Sequence, residues 1–238
     1  MKDFFYNILH DKQNNNTPRD LPLAELLADA TTMLNAGSDT TAAAITSGIY
    51  FLISNPPVLH KLRQELDEVL GEDTTIVKYD QVKSLPYLRA CIDETLRLRP
   101  PIAYGLQRKV VKPEGQYIAG RHFKCNTTIS VPTFAIHRKD SLYVDPEKYN
   151  PGRWLDTDNP QQIENLKNFT IPFSTGPRAC LGRNIAIVEQ QIMIASIVNR
   201  HDFEFVEENQ KLEIFERFNS NPGAMPVRIR RRGTSSAA

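Results

Sequence analysis

Apolar residues recur at helical spacing over four stretches of the chain and at strand spacing over several short ones. A polar run over residues 11–20 reads as an exposed loop, after a short amphipathic piece at residues 4–9. Asp20 suits an N-cap, Pro22 a first turn and Glu25 a first-turn acid, so a helix of about thirty residues is predicted to run to Ser54. Asn55-Pro56 opens a second helix that Gly71 closes. A third is predicted from Ser84 to Leu98, where Arg99-Pro100-Pro101 stops it. Short β-prone runs follow at Val110-Val111, Tyr117-Ile118 and residues 127–131, split by Pro113, Gly115 and Gly120. Residues 143–172 are proline-rich and show little periodicity. A long helix is predicted over residues 185–198, and strand-like alternation at residues 203–206 and 212–214 leads to a basic tail at residues 228–232. The tail reads as a solvated strand end or, alternatively, a binding patch. The pattern predicts a mainly helical fold with small β-sheets.

Composition narrows the class. The chain has 238 residues, 40% hydrophobic and 24% charged, which suffices for one domain with a sizeable core. No internal repeat or linker interrupts it, so residues 1–238 are expected to form a single domain, with residues 1–19 a polar lead-in and residues 233–238 a tail. A net charge of +1 offers no field for nucleic acid. Cys91, Cys125 and Cys180 are far apart and odd in number, which argues against a disulfide scaffold or a structural zinc site and for a reducing compartment. The first six residues lead into acids and amides, so no signal peptide is expected. The most apolar run, residues 41–53, contains Thr46, Ser47 and Gly48 and is too short to span a membrane.

Residues 173–182 read F-x-x-G-x-R-x-C-x-G, a pattern whose five fixed positions arise by chance in such a chain with a probability on the order of 10⁻⁴. A cysteine that binds metal must be a thiolate, and Cys180 stands just before the last long helix, where free N–H groups favour the anion. Gly176 and Gly182 permit tight turns and close backbone approach to a flat ligand. Phe173 is placed to cover the sulfur. The alternative is a buried free cysteine in a glycine turn. Glu94 and Arg97 share a helix face at i, i+3; such pairs are usually solvated, but the apolar neighbours Leu88, Ile92, Leu96 and Leu98 allow a buried one. Ala36-Gly37-Ser38-Asp39-Thr40-Thr41 puts poor helix formers mid-helix, either as a polar kink or as an acid–alcohol pair that relays protons.

Together these motifs, in this order and with Pro-x-Arg-Trp at residues 151–154, resemble the cytochrome P-450 family of haem-thiolate monooxygenases. The resemblance runs from about Asp20 to Arg232 and covers the C-terminal half of a family member, so the chain is expected to be a fragment whose own turnover is in doubt and whose long helix lacks its cover. It implies haem b (iron protoporphyrin IX) with Cys180 as iron ligand, Phe173, Gly176 and Gly182 around the sulfur, and Arg178 and Arg108 on the propionates. Asp39 and Thr40 would be the catalytic proton relay. Ala36, Gly37, Ile102, Ala103 and Tyr104 would line the substrate, and Glu94, Arg97 and Arg153 would form a structural triad. Trp154 is expected to anchor the triad's loop, and His137 and Arg138 to be framework residues. The implied reaction inserts one atom of O2 into a small organic substrate, with electrons from NADPH through a partner cytochrome reductase or a cytochrome b-type donor. Arg178 and Arg183 offer positive charge for docking that partner. A full-length parent is expected on the cytosolic face of the endoplasmic reticulum membrane. The phrasing at residues 117–120, 129–132 and 135–138 is similar to fungal benzoate para-hydroxylases. A non-catalytic fragment with little haem binding, and a peroxide-rearranging isomerase or dehydratase of the same family, are the rival readings.

Overall fold

The computed structural model describes residues 6, 10–11, 17–18, 21–71, 76–156, 158–208 and 210–233. The chain divides into two compact units, Met1–Ser38 and Asp39–Ala238. In the first, β1 (His10–Asp11) pairs antiparallel with β2 (Thr17–Pro18), and α1 (Leu23–Ser54) begins. Leu23, Leu27 and Leu34 of α1 are exposed. The amphipathic piece at residues 4–9 lies outside the described residues apart from Tyr6, as does the Asp20 cap.

In the second unit, four helices build the core. The C-terminal part of α1 buries Ala43, Ala44, Ser47, Gly48, Ile49 and Leu52. Asn55 Nδ2 donates to the Phe51 carbonyl (2.8 Å) and closes this helix, and Pro56 at the next N-terminus opens α2 (Pro56–Asp67). Leu59, Leu62 and Leu66, spaced i, i+3, i+7, form its buried stripe. After a four-residue helix α3 (Tyr79–Val82), α4 (Pro86–Leu98) begins two residues later than predicted, because Pro86 takes the first helical position. The Glu65 carboxylate of α2 accepts the free N–H groups of Tyr87 (2.7 Å) and Leu88 (2.8 Å) at the start of α4, which fastens the two helices together. Ten of the thirteen residues of α4 are buried, so it is a core helix. The last long helix, α7 (Arg183–Arg200), buries Ile187, Ile194, Ala195 and Val198. A Cβ on Gly48 would stand 3.3 Å from Ile194 Cδ1 and 3.6 Å from Thr95 Oγ1, so glycine there lets α1 approach α4 and α7 closely.

The β-structure is small, as predicted. Among the described residues each sheet has two strands. β3 (Arg108–Lys109) pairs with β6 (Thr128–Ile129), two residues earlier than the expected Val110-Val111, although Val110 extends the ladder by donating to the Thr127 carbonyl (2.9 Å). β4 (Gln116–Ile118) and β5 (Arg121–Phe123) make a hairpin whose turn residues Ala119 and Gly120 both have positive φ (47° and 76°), the geometry that matches strand twist. β7 (His201–Phe205) pairs with β10 (Val227–Arg231), so the basic tail is a strand, and Arg230 meets Glu204 at 3.2 Å. β8 (Ile214–Glu216) pairs with β9 (Ser220–Pro222). Besides α3, the sequence reading missed two helices after β6, the second of them inside the aperiodic region. α5 (Thr133–Ile136) is a single turn, and α6 (Pro160–Phe169) buries only Leu166, too little to leave a strong pattern.

Candidate active site

Cys180 sits at the surface, between a short 3₁₀ turn (Gly176–Arg178) and the N-terminus of α7. The loop folds back on itself: Ser174 N–H donates to Ile171 O (2.9 Å), Ala179 N–H to Gly176 O (3.0 Å), and Cys180 N–H to Phe173 O (2.9 Å). Gly176 has φ +77° and Ser174 φ +59°, left-handed conformations that set the turn. The Phe173 ring is partly buried against the hydrophobic core, and Cys180 is free and exposed. Leu181 is 99% exposed, and a Cβ on Gly176 would meet nothing within 4 Å. Arg178 and Arg183 are exposed on the same loop and helix start.

This donor set fits haem. Among the described residues no three His, Cys, Asp or Glu side chains converge on one point. A bare metal ion would therefore lack a full set of protein ligands here, whereas a haem would bring its own nitrogens and ask the protein for a single thiolate.

The Glu94–Arg97–Arg153 cluster is fully internal. Arg97 grips Glu94 through Nε to Oε2 and Nη2 to Oε1, both at 2.9 Å, and Arg153 Nε donates to Oε1 at 3.0 Å. All three side chains are almost wholly buried. Two residues beyond the three complete the carboxylate's shell: Trp154 Nε1 donates to Oε2 and the Asn150 N–H to Oε1, both at 2.9 Å. The remaining guanidinium protons go to main-chain carbonyls. Arg97 reaches those of His137 (2.8 Å), Pro146 (2.7 Å) and Lys148 (3.3 Å), and Arg153 reaches that of Val144 (2.8 Å). A buried charge is tolerable only when it is paired and hydrogen-bonded in this way. Helix α4 is thereby tied to the loop of residues 144–154.

His137 is also fully buried. Its Nε2 accepts the Ile171 N–H (2.8 Å) and its Nδ1 faces the Arg97 carbonyl (3.0 Å). Since Nε2 must be an acceptor, Nδ1 carries the proton and the ring is neutral. Burial, with Arg97 and Arg138 nearby, pulls its pKa down to about 4. Nothing in the spacing of a histidine after an apolar pair signals this double engagement.

Ile102, Ala103 and Tyr104 lie between α4 and β3; Ala103 is buried and Tyr104 exposed. The segment is pinned by three contacts. Phe134 N–H donates to Ala103 O (2.8 Å), Ser220 N–H donates to Pro101 O (2.8 Å), and the Tyr104 ring meets that of Phe218 edge-on (6.2 Å). Arg108 is an exposed strand residue whose Nη1 donates to Gln107 O (2.9 Å). Asp39 and Thr40 are consecutive on α1, where exposure gives way to burial: Asp39 is exposed, Thr40 half-buried and Thr41 buried. Ala36 and Gly37 are exposed, and a Cβ on Gly37 would meet nothing within 4 Å.

The family model described as Cytochrome P450 matches residues 1–227. The chain is 35% identical, over 99% of its length, to benzoate 4-monooxygenase bphA of Aspergillus niger, and 32% identical, over 92%, to tryprostatin B 6-hydroxylase of Aspergillus fumigatus. It spans 45% and 39% of these relatives, roughly half their length or less. A crystal structure of a cytochrome P450 (CYP102L1) superposes with a TM-score of 0.81 at 29% identity, covering 94% of this chain and 49% of that one.

Proposed function

The chain belongs to the cytochrome P450 family, and from that premise we propose that the whole protein is a monooxygenase, which inserts one atom of O2 into a small organic substrate and reduces the other to water. The observation that carries this reading is the exposed, unpaired Cys180 thiol at the N-terminus of α7, inside a family match. Haem bound there supplies the dioxygen and redox chemistry. Cys180 Sγ would hold the iron as a thiolate, and Arg178 and Arg108 would hold propionates through planar donor forks. Thr40 Oγ1 passes protons toward the oxygen side and is recharged by the Asp39 carboxyl, two oxygens on adjacent residues of one helix. Ile102, Ala103 and Tyr104, ahead of β3, border the substrate. Electrons come from NADPH through a reductase whose acidic face docks on exposed Arg178 and Arg183. Among the described residues no single helix is long and apolar enough to cross a membrane. Placement of the whole protein on the cytosolic face of the endoplasmic reticulum is part of the proposal. The relative named benzoate 4-monooxygenase makes an aromatic acid the first substrate to try.

The test is the reduced, carbon-monoxide-bound spectrum of the purified protein supplied with haem. A thiolate-type red-shifted Soret band that disappears in Cys180→Ala is expected. An identical spectrum in the two proteins would overturn the reading, and no haem band at all would favour a non-catalytic polypeptide.

A further inference from the structure

A continuous run of hydrogen bonds leads from the buried ion cluster to the backbone of Cys180. Arg97, which grips Glu94, offers its carbonyl to His137 Nδ1 (3.0 Å). On the far side of the same ring, Nε2 takes the Ile171 N–H (2.8 Å). The Ile171 carbonyl then accepts Ser174 N–H, and the carbonyl of Phe173, inside that turn, accepts Cys180 N–H, each at 2.9 Å. One residue before Ile171, Thr170 Oγ1 is within 3.0 Å of the Tyr143 hydroxyl, which steadies the approach to the loop. The imidazole is the only side chain hydrogen-bonded to both Arg97 and Ile171 among the described residues, and it is fully buried.

We propose that His137 is a positioning residue: its neutral ring couples the Glu94–Arg97–Arg153 cluster to the cysteine loop and so sets where the Cys180 sulfur stands. The chemistry demands a donor and an acceptor on opposite corners of one rigid, buried group, which a neutral imidazole supplies. The main chain reinforces the link, since Arg97 Nη1 donates to the His137 carbonyl (2.8 Å) and thereby holds the ring's own backbone against α4. The importance of this for catalysis rests on Cys180 being the iron ligand, but the coupling itself does not.

Two substitutions divide the ring's functions. In His137→Asn the side-chain amide N–H can replace Nδ1–H toward Arg97 but cannot reach Ile171. In His137→Gln the longer side chain can present its carbonyl oxygen to the Ile171 N–H. Amide hydrogen exchange of the whole chain is the readout, and it needs no haem, so its outcome is independent of the ligand assignment. In His137→Asn, exchange over residues 171–182 is expected to rise about ten-fold or more, with α4 matching that of the glutamine variant. In His137→Gln the same segment should stay within about three-fold of the unsubstituted protein. Equal exchange at residues 171–182 in the two variants would overturn the proposal. Should neither variant fold, the ring ¹⁵N resonances of the unsubstituted protein decide: a protonated Nδ1 and bare Nε2 support the link, and the opposite tautomer overturns it.

Discussion

Trp154 Nε1 donates to Glu94 Oε2 at 2.9 Å, the same oxygen that takes Arg97 Nε. The two residues are sixty positions apart in sequence. With Arg97 Nη2, Arg153 Nε and the Asn150 N–H on Oε1, the carboxylate is saturated by donors. One negative charge faces two positive ones, and the excess is spread over main-chain carbonyls of residues 137–148. The loop around Arg153 therefore cannot detach without stranding charge inside the protein.

Arg97→Ala removes one partner of this buried network and leaves Glu94 and several carbonyls undersatisfied. A loss of about 3–5 kcal/mol is expected in denaturant unfolding. Arg97→Lys should recover little of it, because a point charge cannot replace the two-pronged grip on Glu94. In haem-supplied protein the alanine variant should purify with little haem; normal haem content would contradict the assigned role.

The His137 ring gives a pH dependence with a definite sign. Its folded-state pKa of about 4 lies below the ordinary value of 6.5, so the unfolded chain binds the proton first. Its contribution is present in full above the ordinary value and is lost as pH falls toward the folded one. Between pH 7 and pH 5 this residue alone should cost about 2 kcal/mol of unfolding free energy. Urea titrations at both pH values check this, and the difference should shrink in His137→Gln.

Gly105 has no room for a side chain. A Cβ there would run into the backbone N, C and O of Val131. Gly105→Ala should lower stability by about 1–3 kcal/mol, since backbone rather than a flexible tip must move. The displacement falls next to Ile102, Ala103 and Tyr104, so a substrate-induced spectral shift in the haem-loaded enzyme should weaken more than global stability does.

Thr40→Ala tests the proton relay. With reductase present, NADPH should still be consumed, but peroxide should replace most of the product. Coupling equal to that of the unsubstituted enzyme would remove Thr40 from the relay.

The sequence disclosed more of the chemistry than of its supports. The cysteine loop and the Asp39-Thr40 step are contiguous, so motif spacing alone exposes them. The long helices were legible through their apolar period and, at Asn55-Pro56, through a capping proline, whereas Pro86 at the start of α4 was passed over. Arg153 reaches Glu94 from 59 residues away, and only the resemblance suggested that meeting. The engagement of both His137 nitrogens was invisible, because it depends on two backbone groups, Arg97 O and Ile171 N–H, that every residue possesses. α6 was missed because it buries one leucine. Several short strands were displaced by a residue or two, and β5 and β9 were not foreseen, since ladders of two or three residues are set by their partners and turns rather than by alternation.

The three thiols lie at three depths: Cys180 exposed, Cys125 intermediate and Cys91 sealed in α4, where burial pushes its pKa well above the usual thiol range. An alkylating reagent therefore meets them as a clock with separate hands. The first mark reports whether the ligand position is open, and the last arrives only when the helical core comes apart. One mass spectrum over time would then follow both occupancy of the site and integrity of the scaffold in the same molecules.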